Sequence, residues 1–284
     1  MYRIVTKTAL KPTVILYEIE APMVAKKAQP GQFIILRVDE NGERIPITIH
    51  DYDREKGTVT IIVQTVGATT EKLSHKEQGE CLHDFVGPLG KPTETEGKKK
   101  VCVVGGGVGC AIAYPVLKKF HDCGAEVHAV VGFKSKDVVI LEDKFKAVSS
   151  VLKVCTDDGS YGQKGLVTEA LKELLDAGNV YDEIFAIGPM VMMKFVCKTT
   201  APYGMPTTVS MSPIMIDGTG MCGGCRVTVG GEVKFACVDG PDFDGHKVDY
   251  AELMNRNTVY REREAEVRES HKCRMQKMAE ELIK

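Results

Sequence analysis

The stretch VCVVGGGVGC, residues 101–110, sets a short apolar strand directly before a glycine turn and a helical run. Reading onward, a helical stretch reaches Cys123, followed by EVHAVVGF (126–133), a helical stretch near Ile140 to Val148, and VLKVCT (151–156). A helix over Val167 to Ala177 and the strand EIFAIG (183–188) complete the series. Strands alternating with helices predict an α/β domain built on a doubly wound parallel sheet, whose strand C-termini converge on a ligand crevice. Gly105, Gly106, Gly107, Val108 and Gly109 can bring backbone N–H groups and a helix N-terminus up to a pyrophosphate, where a Cβ would block the approach. The string departs from G-x-G-x-x-G, with Ala111 or Ala113 at the later small position, and such a turn can also be a plain tight connection. Three further loops fall at strand ends of the same sheet: Gly132-Phe133-Lys134, Asp157-Asp158-Gly159 and Gly188-Pro189-Met190. Lys134 and Asp157 are candidates for phosphate or ribose contacts, with a solvated loop charge as the plainer reading of each. No basic cluster marks a 2′-phosphate pocket, which favours NAD(H) over NADP(H).

Upstream, VILYEIE, QFIILRV, RIPITIH and TVTIIVQTV are short β-rich runs parted by turn residues between Val14 and about Lys91, a spacing that predicts a small antiparallel barrel. The polar stretch KPTETEGKKK (91–100) breaks every apolar period and reads as a linker, so the expected division is residues 1–97 for the barrel and 98–206 for the α/β domain.

Downstream, the strand–helix alternation is expected to stop after Pro206, leaving 207–249 as a glycine-rich appendage. Asp217, Cys222, Cys225 and Cys237 form D-x4-C-x2-C-x11-C. Plant-type [2Fe-2S] spacing is C-x4-C-x2-C with a distant fourth cysteine, so the match holds except that an aspartate takes the first place. Gly218, Gly220, Gly223 and Gly224 let the loop wrap closely, and RVTVGGEVKF reads as a hairpin returning the chain to Cys237. Zinc also accepts three thiolates and a carboxylate, although structural zinc loops usually present two knuckles where this chain has one. Residues 250–284 lack proline and glycine, are densely charged, and carry Leu253, Tyr260, Val267, Met275, Met278 and Leu282 as an apolar seam. A C-terminal helix is expected there, packing on its own chain or docking a partner.

Composition narrows the function classes. The 284 residues hold 43% hydrophobic and 27% charged residues, which suits a folded enzyme and excludes a disordered chain. Thirty-seven basic against thirty-nine acidic residues provide no global positive field for nucleic acid or anionic lipid. The glycine-broken run Val101 to Leu117 is too short to span a bilayer, and the charged start MYRIVTKTALKP is unlike a signal peptide, so cytoplasmic residence is the expectation. Ten cysteines in a reducing compartment are not expected to pair as structural disulfides.

Taken together, the three blocks resemble the flavin-dependent electron-transfer subunits of the ferredoxin reductase superfamily, over roughly residues 1 to 250. The resemblance implies FAD on the barrel, NAD(H) on the α/β domain and a [2Fe-2S] cluster on the cysteine loop, with Asp217, Cys222, Cys225 and Cys237 as ligands. The family's flavin motif is an arginine three residues before a Ser or Thr. Thr48 supplies the hydroxyl and Pro46 and Ile47 precede it, but Ile45 holds the arginine position and Arg44 lies one earlier, a shift that reverses the face on a strand. A second flavin motif matches Val63 and Gln64 followed by the turn Gly67, Ala68, Thr69 and Thr70, and Gly87 to Gly90 resembles the end of a flavin barrel. The aspartate departs from the four-cysteine dihydroorotate dehydrogenase-type members. With Asp217 in that place and CVDGPDFDG after the hairpin, the chain more closely resembles the smaller subunits of electron-bifurcating NADH-dependent ferredoxin:NADP+ oxidoreductases. The partner implied is a larger flavoprotein subunit with further iron–sulfur clusters and its own NADP(H) site, and ferredoxin is reached through the complex. The alternatives are a dihydroorotate dehydrogenase-type subunit, a sulfide dehydrogenase subunit, or a nucleotide-binding regulatory protein with a zinc loop. No side chain is needed as acid, base or nucleophile, because the cofactors carry the chemistry.

Overall fold

A computed structural model of the chain describes residues 1–260 and 262–266. Seven strands come first: β1 (Tyr2–Lys11), β2 (Val14–Glu20), β3 (Phe33–Arg37), β4 (Ile45–Asp53), β5 (Thr58–Gln64), β6 (Cys81–Leu82) and β7 (Asp84–Leu89). Two short helices, α1 (Pro22–Ala25) and α2 (Ala68–Ser74), lie between them. The strands pair antiparallel in the order β6-β1-β2-β5-β4-β3-β7. Only His83 separates β6 from β7, so the two edges of the sheet meet and the barrel nearly closes. Closure matters because an open edge would expose unpaired backbone groups. Alternation fills the interior: Tyr17 and Ile19 of β2 point inward and join Ile34, Leu36, Ile49, Ile61 and Phe85 in the barrel core, while Val14, on the other face of β2, packs in the cluster formed by β8, β9 and α3. The Tyr17 hydroxyl donates to Leu73 O at 2.9 Å and ties α2 to the barrel.

The second sheet is built from β8 (Lys100–Gly106), β9 (Glu126–Phe133), β10 (Val151–Thr156), β11 (Gln163–Lys164), β12 (Glu183–Ile187) and β13 (Thr207–Ser210). Helices α3 (Gly109–Asp122), α4 (Glu142–Val148), α5 (Val167–Asp176) and α6 (Met190–Thr200) connect its strands. The hairpin β14 (Arg226–Val229) and β15 (Glu232–Phe235) follows, then β16 (Asp242–Asp244) and α7 (Tyr250–Arg256). The order β11-β10-β9-β8-β12-β13-β16 is parallel except for β16. The alternation therefore runs one strand beyond the expected stop at Pro206, and the segment after it returns β16 to the sheet. Four residues in β13 and three in β16 are too few to register a period, so their pairing comes from tertiary contact. The chain leaves β8 toward β9 and later returns to its other side as β12, which puts the topological switch point at the C-terminal ends of β8 and β12.

One apolar core crosses all three blocks. Phe33 and Ile35 of the barrel, Val104 and Ala186 of the sheet, Cys225, Val227 and Cys237 of the cysteine loop and hairpin, and Tyr250 and Leu253 of α7 belong to a single cluster. Leu253 is thus buried as the seam predicts, whereas Tyr260 is half-exposed. Val267, Met275, Met278 and Leu282 lie outside the described residues. Among the described residues no helix is long and apolar enough to cross a membrane.

Candidate functional site

The glycine turn after β8 sits at the switch point. Gly109 opens α3 so close to β12 that a Cβ on it would lie 2.7 Å from Ile187 O, and a Cβ on Gly188 would lie 3.1 Å from Gly106 Cα. These glycines serve close packing of turn, helix and strand. Gly107 differs: its φ is +56° and no atom lies within 4 Å of where a Cβ would project, so the space over it is open beside the start of α3. Val108 precedes that helix without a capping side chain; the N–H groups of Cys110 and Ala111 donate to Gly107 O at 3.1 Å and Val108 O at 2.9 Å, which leaves the Gly109 N–H at the helix start to face an anion. The other loops gather here as read from the sequence. Gly107 N–H donates to Gly132 O at 2.8 Å, Asp157 N–H to Phe133 O at 3.0 Å and Asp158 N–H to Lys134 O at 3.3 Å. Pro189 and Met190 form the start of α6, with Pro189 Cδ 3.1 Å from the Cβ position of Gly106.

The turn that matches the second flavin motif follows β5, whose Val63 is buried and whose last residue is Gln64. Gly67 is extended and open on its Cβ side. The Thr70 hydroxyl accepts from the N–H groups of Val66 and Gly67, both at 3.0 Å, and donates to Gly67 O at 2.9 Å. The first helical bond of α2 is Glu71 N–H to Gly67 O, so the N–H groups of Ala68, Thr69 and Thr70 point out of the helix start. Thr69 Oγ1 donates to Glu43 Oε2 at 2.9 Å. Glu43, which the sequence did not single out, thus fills the acceptor role that a phosphate oxygen would take. Pro46, Ile47 and Thr48 stand on β4 opposite Ile35, Ile34 and Phe33 of β3. Arg44 is elsewhere: its guanidinium reaches the cysteine loop, with Nε 3.0 Å from Ile216 O.

In that loop, Cys225 and Cys237 bring their Sγ atoms to 3.2 Å and are both buried. Cys222 is exposed, and its Sγ accepts the Gly224 N–H at 3.4 Å. That N–H, with the N–H of Asp217, holds the Cys222 thiol below its ordinary range, while burial and the adjacent Cys225 thiol push Cys237 up. The Asp217 carboxylate accepts the Thr219 N–H at 2.9 Å and the Thr219 hydroxyl. Among the described residues no three His, Cys, Asp or Glu side chains converge as the shell of one metal ion. A pair of cysteines with a third cysteine and a carboxylate set apart fits a two-iron cluster, in which the protein ligands divide between the irons, better than a one-ion zinc shell. Gly218, with φ +86°, seats the loop on the barrel, for a Cβ there would lie 2.8 Å from side-chain atoms of both Ile35 and Leu89. From the other side Arg256, at the end of α7, donates to Gly224 O at 3.2 Å.

A nearly closed antiparallel barrel, a parallel α/β sheet and a glycine-rich cysteine loop in this order define an electron-transfer oxidoreductase of the ferredoxin reductase type. Residues 212–249 match the family described as the iron–sulfur cluster binding domain of dihydroorotate dehydrogenase B. The chain is 48% identical, over 92% of its length and 92% of the relative's, to a Thermotoga maritima protein described as a dihydroorotate dehydrogenase B (NAD(+)) electron transfer subunit homolog. It is 54% identical to a Clostridium beijerinckii protein described as an uncharacterized protein in the adh 3′ region, over 93% of this chain and 92% of that one. A chain in a solved structure of the NADH-dependent reduced ferredoxin-NADP oxidoreductase, a structure concerned with flavin-based electron bifurcation, superposes with a TM-score of 0.90 at 45% identity, covering 95% of this chain and 97% of that one. The chain belongs to the family of dihydroorotate dehydrogenase B-type electron-transfer subunits.

Proposed function

We propose that this chain passes electrons between NAD(H), FAD and a [2Fe-2S] cluster to a larger flavoprotein partner subunit, within an electron-bifurcating NADH-dependent ferredoxin:NADP+ oxidoreductase. The observation that carries the reading is the contact of Gly218 with Ile35 and Leu89, which sets the cysteine loop on strands of the barrel that would hold the flavin. When bound, the nicotinamide supplies a hydride, the flavin converts between paired and single electrons, and the cluster takes one electron at a time. The chain's own residues bind and orient. The crevice over Gly107 would admit the nicotinamide pyrophosphate, with Lys134, Asp157 and Asp158 at its rim. Thr48, Gln64 and the turn from Gly67 to Thr70 would hold FAD. Asp217, Cys222, Cys225 and Cys237 would ligate iron.

A partner subunit is supported by apolar side chains left exposed around the loop, Ile216 at 51%, Met221 at 88% and Val238 at 39%. The bifurcating assignment is supported by the 45% identity to the oxidoreductase chain and by the aspartate at the first ligand position. The iron–sulfur domain match also favours a second reading, a subunit serving a dihydroorotate dehydrogenase. The test is anaerobic co-purification with the native partner, followed by assays with NADH, NADP+, ferredoxin and dihydroorotate. Ferredoxin-coupled transfer between the two nicotinamides is expected. Dihydroorotate oxidation without it would establish the second reading, and a complex without flavin or iron would defeat both.

A further inference from the structure

Arg44 stands one residue before β4 and reaches across 172 residues of chain to the cysteine loop. Its Nε donates to Ile216 O at 3.0 Å, and one terminal nitrogen lies 3.5 Å from Asp217 O. The other terminal nitrogen lies 3.5 Å from Asp84 Oδ2. Asp84, at the start of β7, is itself fixed: Arg37 Nε is 2.7 Å from the same oxygen and His83 Nδ1 is 3.0 Å from the other. The barrel therefore sets the orientation of the Arg44 guanidinium before it meets the loop.

We propose that Arg44 is a positioning residue for the iron–sulfur loop, fixing the backbone that carries Asp217. The proposal rests on the reading that this loop holds a [2Fe-2S] cluster. The Asp217 carboxylate bonds to Thr219 within its own loop, so its aim follows its backbone. That backbone is held at 216 and 217 by the arginine and at 218 by the close contact with Ile35 and Leu89. Arginine suits the task because its planar fork presents several donors in fixed directions. Its permanent charge has a second effect. Three thiolates and a carboxylate around iron concentrate negative charge, and a neighbouring cation favours the reduced, more negative cluster, raising its potential.

The test uses the full chain, reconstituted anaerobically with FAD, iron and sulfide, and compares it with Arg44→Gln, Arg44→Lys and Asp84→Asn. The readouts are the cluster's midpoint potential, the paramagnetic resonance spectrum of the reduced cluster, the rate of iron loss to a chelator, and FAD content. Arg44→Gln is expected to keep FAD, shift the potential negative and lose iron about tenfold faster. Arg44→Lys should recover the potential more than the iron retention, since an ammonium keeps the charge without the fork. Asp84→Asn loosens Arg44 without touching the loop and should alter the spectrum and iron loss in the same sense; it carries the test if Arg44→Gln does not fold. Unchanged potential, spectrum and iron loss in the folded variants would overturn the proposal. So would loss of FAD with an unaltered cluster, which would make Arg44 a flavin ligand. An unsubstituted chain that takes up no iron would refute the cluster reading itself, and that failure is visible before any substitution is made.

Discussion

The Sγ atoms of Cys225 and Cys237 lie 3.2 Å apart because the β14–β15 hairpin, which pairs Arg226 with Phe235, folds the chain back on itself. The hairpin also closes through Ala236 N–H to Cys225 O at 3.1 Å. This half of the proposed ligand set is built by regular structure, whereas Asp217 and Cys222 depend on the glycine loop. Cys225→Ser and Cys237→Ser are accordingly expected to abolish stable iron uptake, and Cys123→Ser, at an exposed site, to leave it intact. Asp217→Cys should retain a cluster with a changed potential and spectrum, since a thiolate is a softer ligand than a carboxylate. Iron analysis with redox titration checks all four variants; an unaltered potential and spectrum in Asp217→Cys would remove Asp217 from the ligands.

Gly218 is where the loop touches the barrel, and alanine there meets two costs. A left-handed backbone costs a residue with a Cβ about 1–2 kcal/mol, and the side chains of Ile35 and Leu89 would also have to move. Gly218→Ala is expected to lower unfolding stability by about 2–3 kcal/mol and to reduce iron occupancy. Gly97 has φ +73° with open space around it, so Gly97→Ala should lose only the backbone part, about 1 kcal/mol. Denaturant unfolding of the two variants separates steric from conformational cost; equal losses would mean that the Gly218 contact carries no weight.

Much of this architecture was legible as local pattern. VILYEIE coincides with β2 residue for residue because turns bound a run rich in β-branched and apolar residues, and EVHAVVGF coincides with β9 because a parallel strand buried on both faces is largely apolar. By contrast β1, YRIVTKTALK, mixes threonine and lysine into a half-exposed strand and gives little signal. The partner of Arg44 could not be read at all: the flavin motif sets its arginine position on Ile45, one residue away, and only the folded chain brings residue 216 beside Arg44. Gly107 and Gly109 looked alike in the sequence, yet one faces open space and the other faces backbone.

Asp242 predicts a pH dependence. Its Oδ2 accepts the Thr93 hydroxyl at 2.6 Å, while Oδ1 is enclosed without a partner. Burial raises its pKa from 3.8 to about 7, against the opposing pull of hydrogen bonds from Thr93 and Ser210. The folded state thus holds a proton that the unfolded chain releases at lower pH. The stabilisation is full below about pH 4 and is lost as pH rises toward 7. Asp242→Asn should flatten the stability profile over that interval and raise stability at pH 8 by about 1–3 kcal/mol. Denaturant titrations across the interval provide the check, and parallel profiles for the two proteins would count against a buried, protonated Asp242.

The crevice proposed for the nicotinamide nucleotide yields a prediction in which two neighbouring glycines part company. Gly107→Ala meets no atom of the protein, so folding should lose only the left-handed backbone cost, about 1–2 kcal/mol, while the new methyl group projects into the space left for the pyrophosphate. NADH affinity is expected to fall by about tenfold or more, because the backbone must approach the phosphates closely. Gly109→Ala instead drives a methyl group to within 2.7 Å of Ile187 O and 2.8 Å of Gly188 Cα, atoms of backbone that cannot rotate away. It should lower unfolding stability by about 2 kcal/mol or more. Fluorescence titration with NADH alongside denaturant unfolding tests the pair. Unchanged NADH affinity in a folded Gly107→Ala chain would take the nicotinamide nucleotide away from this crevice.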